Sequence, residues 1–236
     1  MEYMPTFRRD RRSDKTTGSE LTFDYVVHRL GEVDFAEAVT RLGFLPVARD
    51  GAFSDSEMEI DFLGERYRLS KKDGVFRCEA TGGNEVSLEA KSIVCYYALS
   101  KARGEPLFDF CLIDHFAHGV FSSTRRQAGA VMEGMTSRIA KALDGLSPEE
   151  QAARFAAGAE RLGMKPVDGG TNTTRKWAYH VFPQMPVQVA FYEADDEFPP
   201  DLRIYWDKSA IGVFDFEPLA VLQGCFINAL ARNCRE

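Results

Sequence analysis

The apolar positions of this chain change period several times, and each change marks an element. Between Leu21 and Gly43 they recur at helical spacing, with Val26, Val27, Leu30, Phe35, Ala38, Val39 and Leu42 on one face and an interruption near Gly31. Gly43 closes that run as a C-cap glycine does, because the left-handed conformation carries no steric cost for glycine. From Glu57 the period becomes two: Met58, Ile60 and Phe62 alternate with Glu57, Glu59 and Asp61. Gly64-Glu65 then turns the chain into Arg66-Tyr67-Arg68-Leu69, which sets two arginines against those acids. The pattern predicts a hairpin with one wet, charge-paired face. A short third strand is expected over Val75 to Cys78.

Helical spacing returns over Ser87 to Ala102, carrying Leu88, Ile93, Tyr96, Tyr97 and Leu99, until Gly104-Glu105-Pro106 stops it. After a phenylalanine-rich connection over Leu107 to Phe121, a longer helix is predicted over Thr124 to Leu143. Ser147-Pro148-Glu149-Glu150 then opens another: serine can cap, proline suits the first turn, and Glu150 completes a capping box. That helix runs to Leu162 and ends at Gly163. Strands are predicted over Trp177 to Phe182 and Val187 to Glu193, and a further one over Leu202 to Trp206 places Leu202, Ile204 and Trp206 on one face. Asp215 is expected to cap a last helix whose buried stripe is Leu219, Leu222, Phe226 and Leu230.

Two of these segments resemble each other. Phe35 to Val47 and Phe155 to Val167 share seven of thirteen residues at an offset of 120, and both are followed by a loop, paired strands, an acid-containing linker and a helix. The expected fold is therefore α+β, with two related helix–strands–helix lobes around small antiparallel sheets, residues 20–103 and 147–236. A helical connecting segment over 104–146 joins them in a single domain spanning 20–236. Residues 1–19, polar and rich in arginine, are expected to be a disordered tail.

Composition narrows the function classes. A net charge of −7 over 236 residues argues against a nucleic-acid partner, whose phosphates it would repel. No apolar run approaches the roughly 18 residues of a membrane span, so no membrane role is expected. Five widely spaced cysteines without a Cys-x-x-Cys pair fit reduced thiols, and the expected location is cytoplasmic.

Two stretches could carry chemistry. Asp195, Asp196 and Glu197 form an acidic loop closed by Phe198, Pro199 and Pro200, with Tyr192 before it and Trp206 and Asp207 after it. Crowded carboxylates of this kind can bind a divalent cation, act as an acid and base pair, or meet a ligand or protein partner. Binding is the expected role, beside the plainer reading of a solvated loop whose acids prevent edge pairing and whose Phe198 anchors the turn in the core. The alternative is a small-molecule enzyme using Asp195 to Glu197 as an acid/base or cation site together with Tyr192, Trp206 and Asp207. Elsewhere, Cys111, Asp114, His115 and His118 would share one face if their stretch were helical, and those side chains suit zinc or iron. A structural metal is not the expected outcome there. No phosphate-binding loop, dinucleotide-binding glycines or Gly-x-Ser-x-Gly elbow occurs.

Pro183-Gln-Met-Pro-Val187, Phe191-Tyr-Glu-Ala-Asp-Asp-Glu-Phe-Pro-Pro200 and Ile204-Tyr-Trp-Asp-Lys-Ser-Ala210 resemble the domain of unknown function family numbered 3786. The likeness extends through Phe62 to Tyr67 and Ile93 to Leu99, covering roughly residues 25 to 232. The chain departs from the family where relatives read His-Tyr-Leu and it reads Tyr96-Tyr97-Ala98. That family is typical of anaerobic bacteria and archaea. The resemblance implies a binding or accessory role beside corrinoid or iron–sulphur enzymes, with a corrinoid or a divalent cation as candidate cofactors, and implies no reaction. The oligomeric state is not legible.

Overall fold

A computed structural model describes residues 17–49, 52–82, 86–117, 137–171, 174–195 and 197–235. Helix α1 (Gly18–His28) opens with a capping box, in which Thr17 accepts from the Glu20 amide and the Glu20 carboxylate accepts from Thr17. Helix α1 thus starts inside the stretch expected to be a tail, whose residues 1–16 lie outside the described ones. A 3-10 turn over Arg29–Glu32 breaks the helical spacing where Gly31 predicts a break, and α2 (Phe35–Leu42) follows, ended by Gly43 at φ 74°.

Four strands then form one antiparallel sheet in sequence order: β1 (Leu45–Arg49), β2 (Ala52–Phe62), β3 (Glu65–Lys72) and β4 (Val75–Ala80). On its solvent face Arg66 makes a two-pronged ion pair with Asp61 and Arg68 meets Glu59, the charge-paired face that the alternation predicts. Met58, Ile60, Phe62 and Leu69 line the other face and are buried. Helix α3 (Leu88–Leu99), capped by Ser87, packs against that buried face.

The second half of the chain follows the same order. Helix α4 (Pro148–Arg161) starts at the Ser147–Glu150 capping box, and Gly163 follows it at φ 88°. Strands β6 (Lys165–Thr171), β7 (Thr174–Phe182), β8 (Met185–Tyr192) and β9 (Asp201–Asp207) form the second antiparallel meander. A three-residue strand, β5 (Phe110–Leu112), adds to β9 as a fifth and has no counterpart among the described residues of the first sheet. After the short helix α5 (Ala210–Val213), helix α6 (Phe216–Asn233) covers the sheet. Asp215 sits at its N-cap position without a side-chain capping bond, unlike the expectation. Both sheets are antiparallel and the helices lie apart from them in sequence, so the fold is α+β.

The correspondence extends to register. Pro46 of β1 lies opposite Met58 and Pro166 of β6 opposite Trp177, and in both pairs the register shifts just beyond the proline. The first meander closes each hairpin with two residues, since Arg49 faces Ala52, Phe62 faces Glu65 and Lys72 faces Val75. The second closes two hairpins the same way, Thr171 facing Thr174 and Phe182 facing Met185, but Tyr192 faces Asp201 across eight residues, 193–200. The acidic loop is this one departure.

Residues 120 positions apart also meet at the junction of the two sheets. Phe62 stacks on Phe182 with ring centroids 4.7 Å apart and planes 6° from parallel. The end of α2 touches the β7–β8 turn, where a Cβ on Gly43 would come within 2.9 Å of Pro183. Reciprocally, the β2–β3 turn approaches the end of α4, with Gly64 beside Leu162. No helix among the described residues is long and apolar enough to cross a membrane.

Candidate functional site at the two ends of strand β9

Strand β9 separates the residues that the sequence groups around the acidic loop. Tyr192 stays with the loop, because it pairs with Asp201 where β9 begins. Trp206 and Asp207 lie at the opposite end, and six residues at the usual strand rise put Asp207 about 20 Å from Asp201. Trp206 is fully buried, and its indole N–H donates to the Gln223 side chain at 2.7 Å. It is a core residue joining β9 to α6. The loop and Asp207 are two separate places.

At the loop, the Asp195 carboxylate accepts from the amides of Glu197 at 2.9 Å and Phe198 at 2.7 Å, and the Asp195 amide donates to the Phe198 carbonyl. One of the three acids is therefore used in closing the turn, as aspartate often is. Glu197 is exposed, and Asp196 lies outside the described residues. The closure turns Phe198 outward, with 65% of its surface accessible. Glu193 pairs with Arg175 at 2.7 Å, and Arg203 sits over the Tyr192 ring at 5.2 Å. The phenols of Tyr192 and Tyr205 approach to 3.5 Å, and this hydrogen bond, with burial, raises the Tyr192 pKa.

At the far end, Asp207 is fully buried. One carboxylate oxygen accepts from the amide of Leu107 at 3.1 Å and from the amide and hydroxyl of Ser209 at 2.8 and 2.5 Å. The other is buried without a hydrogen-bond partner among the described residues. Burial pushes the carboxyl upward, but the Ser209 donors and the Leu107 and Phe108 amides outweigh it, so the pKa is lowered and the group is ionised. Lys208 adds a bond from its amide to the Asp109 carbonyl and an ion pair to the Asp109 side chain at 2.7 Å. The clamp ties the Leu107 backbone to β9 while leaving 65% and 64% of the Leu107 and Phe108 surfaces exposed. Nothing in the periodicity of the sequence marks this segment.

Phe108 is held at φ 54°, a left-handed conformation that a bulky side chain rarely adopts. Replacing it with glycine is expected to raise stability by roughly 0.5–1 kcal/mol, because the strain is relieved and little buried surface is lost. Urea unfolding checks this, and a loss of stability would mean that the ring packs structurally.

The Cys111 cluster does not form as a helix face. Cys111 is in β5, Asp114 and His115 follow in a 3-10 turn over Ile113–Ala117, and His118 lies outside the described residues. Strand pairing with Trp206 holds Cys111 in the sheet, and burial raises its thiol pKa despite the opposing charge of Lys208. Among the described residues no group of three or more His, Cys, Asp or Glu is placed to hold a metal ion.

The family described as Domain of unknown function (DUF3786) matches residues 34–229, most of the chain. The chain belongs to this family. Both ends of β9 and both meanders fall within the matched residues. No curated protein and no solved structure matches the chain.

Proposed function

We propose that the chain is a non-catalytic binding or accessory module of the cytoplasm, formed by internal duplication, whose partner meets the loop over residues 193–200. One observation carries this reading. The first meander makes the equivalent hairpin with Asp73-Gly74 alone, so the fold has no need of the additional residues in the second. What they supply is a turn closed by Asp195 that presents a bare phenyl ring beside acidic side chains, which suits an apolar pocket rimmed by basic residues on a protein partner. Turnover is disfavoured because Asp195 is committed to closing its own loop, while Trp206 and Asp207 lie at the other end of β9. An accessory place beside corrinoid or iron–sulphur enzymes rests on the family resemblance alone.

The test compares the wild-type protein with Phe198→Ala and Glu197→Gln in affinity purification from the native host under anaerobic conditions. Both variants are expected to melt within about 0.5 kcal/mol of wild type, since the altered groups are exposed. Phe198→Ala is expected to lose the partner. A folded Phe198→Ala protein that keeps every partner contradicts the proposal. The visible spectrum of the purified protein decides separately whether a corrinoid travels with it.

A further inference from the structure

We infer that the fold holds a redox-active pair of thiols, Cys78 of β4 and Cys95 of α3, which close to a disulfide by exchange with a small-molecule disulfide and so fasten the edge strand of the first sheet to its covering helix. The cysteines are widely spaced in the sequence, and folding brings these two together. Cys78 stands opposite Leu69, on the buried face that α3 covers. Its sulphur reaches the Lys91 carbonyl of α3 at 3.7 Å. Lys91 lies one helical turn before Cys95, and a helical side chain leans back over the turn that precedes it, so the Cys95 sulphur lies over the place that Cys78 reaches. The two thiols are hydrogen-bonded, and this bond, with burial, raises the Cys95 pKa.

The other thiols stand elsewhere, with one exception. Cys111 is in β5 of the second sheet, and Cys234 packs against α4, where a Cβ on Gly158 would come within 2.7 Å of its sulphur. Cys225 of α6 is nearer to the pair. Burial, with the Cys78 and Cys225 thiols close by, raises the Tyr67 pKa, which sets Cys225 beside the same phenol as Cys78. It is the competing partner for a bridge.

A dithiol enclosed in a fold reacts when an element opens locally. Strand β4 is the element placed to do so, since it is an edge strand, paired with β3 alone among the described residues, and it begins at exposed Val75. Its opening carries Cys78 outward and leaves Cys95 on the helix. The Cys78 thiolate then attacks a sulphur of oxidised glutathione, forming a mixed disulfide and releasing one glutathione thiolate. As β4 returns, the Cys95 thiolate attacks the Cys78 sulphur and expels the second glutathione. The protein is oxidised from dithiol to disulfide, the reagent is reduced to two thiols, and the protons lost by Cys78 and Cys95 end on the released glutathiones. The bridge then closes the loop between β4 and α3, which restricts the unfolded chain more than the folded one.

Incubating the full-length protein with oxidised glutathione in the absence of denaturant, followed by alkylation of the remaining thiols and peptide mapping, tests the pair. A Cys78–Cys95 bridge is expected, with Cys111, Cys225 and Cys234 taking no part in it. The bridged protein should melt higher by roughly 5 °C or more and return to its starting value on reduction. Cys95→Ala should stop at a glutathione adduct on Cys78, because no thiol is left to expel the second glutathione, while Cys225→Ala should bridge as the wild type does. The wild-type map decides the question even where a variant does not fold. A folded protein in which Cys78 and Cys95 both stay free, a bridge to Cys225 in place of Cys95, or a bridge that lowers the melting temperature overturns the inference.

Discussion

Replacing Phe182 with alanine is expected to cost about 3–5 kcal/mol, the range for deleting a fully buried aromatic ring. For a chain of this size that lowers the melting temperature by about 10 °C. Phe182 is 1% exposed and lies between two other rings, with Tyr97 at 4.0 Å and Phe62 at 4.7 Å, both within 6° of parallel. It therefore joins the two sheets and the α3 helix at once, and the cavity would open at the junction where the sheets can collapse least. Phe62→Ala should be comparably damaging. In a double-mutant cycle the pair should show coupling of about 1 kcal/mol beyond the separate burial of each ring. The contrast with Phe198→Ala is the informative one: one residue type on adjoining hairpins, with a large loss at one position and almost none at the other. Near-equal effects would contradict the assignment of one to the core and the other to a contact surface.

Asp207→Ala is the second large effect, with an expected loss of about 3 kcal/mol at neutral pH. It would leave the Leu107 and Ser209 amides and the Ser209 hydroxyl without the acceptor they share, and unsatisfied buried donors are costly. Asp207→Asn, which keeps one acceptor oxygen, should lose less. The ionised form is favoured in the fold, so its pKa there lies below the unfolded value of about 3.9. The stability from this carboxylate is thus fully present above that value and is lost as pH falls through the lower, folded one. Urea denaturation of wild type and Asp207→Asn at neutral and strongly acidic pH checks the sign. The gap between them should narrow in acid, and a gap unchanged with pH would mean that the clamp does not depend on charge.

What was legible in the sequence were features set by neighbours in the chain. The Ser147–Glu150 capping box, the glycines after Leu42 and Leu162, and the alternation over Glu57 to Phe62 each report a local constraint, and each appears where the pattern places it. The first strand of each meander was not legible as a strand, for β1 contains Pro46, and β6 contains Pro166 and a Gly169-Gly170 pair, with almost every residue exposed. Edge strands of this composition carry no apolar alternation, and only pairing with β2 and β7 defines them. β5 is too short to show a period, and the same pairing constraint removes the helix face that would have gathered Cys111 with Asp114 and His115.

The candidate site was half legible. An unusual run of acids marked the loop. That Asp195 would close it and Phe198 would face outward depended on amide positions that no spacing reveals. Trp206 and Asp207 are near the loop in sequence and far from it in space, because a strand separates its ends by its whole length. The Asp207 clamp joins residues 100 positions apart, and such contacts leave no trace in a local pattern.

The central claim is that residues 193–200 serve contact and not folding. Replacing them with Asp-Gly, the turn that closes the matching hairpin at Asp73-Gly74, tests it most directly. Shortening the loop lowers its closure entropy, so the variant should fold with stability unchanged or raised by about 1 kcal/mol. It should retain no partner captured by the wild-type protein. A variant that fails to fold, or one that folds and associates as the wild type does, contradicts the account.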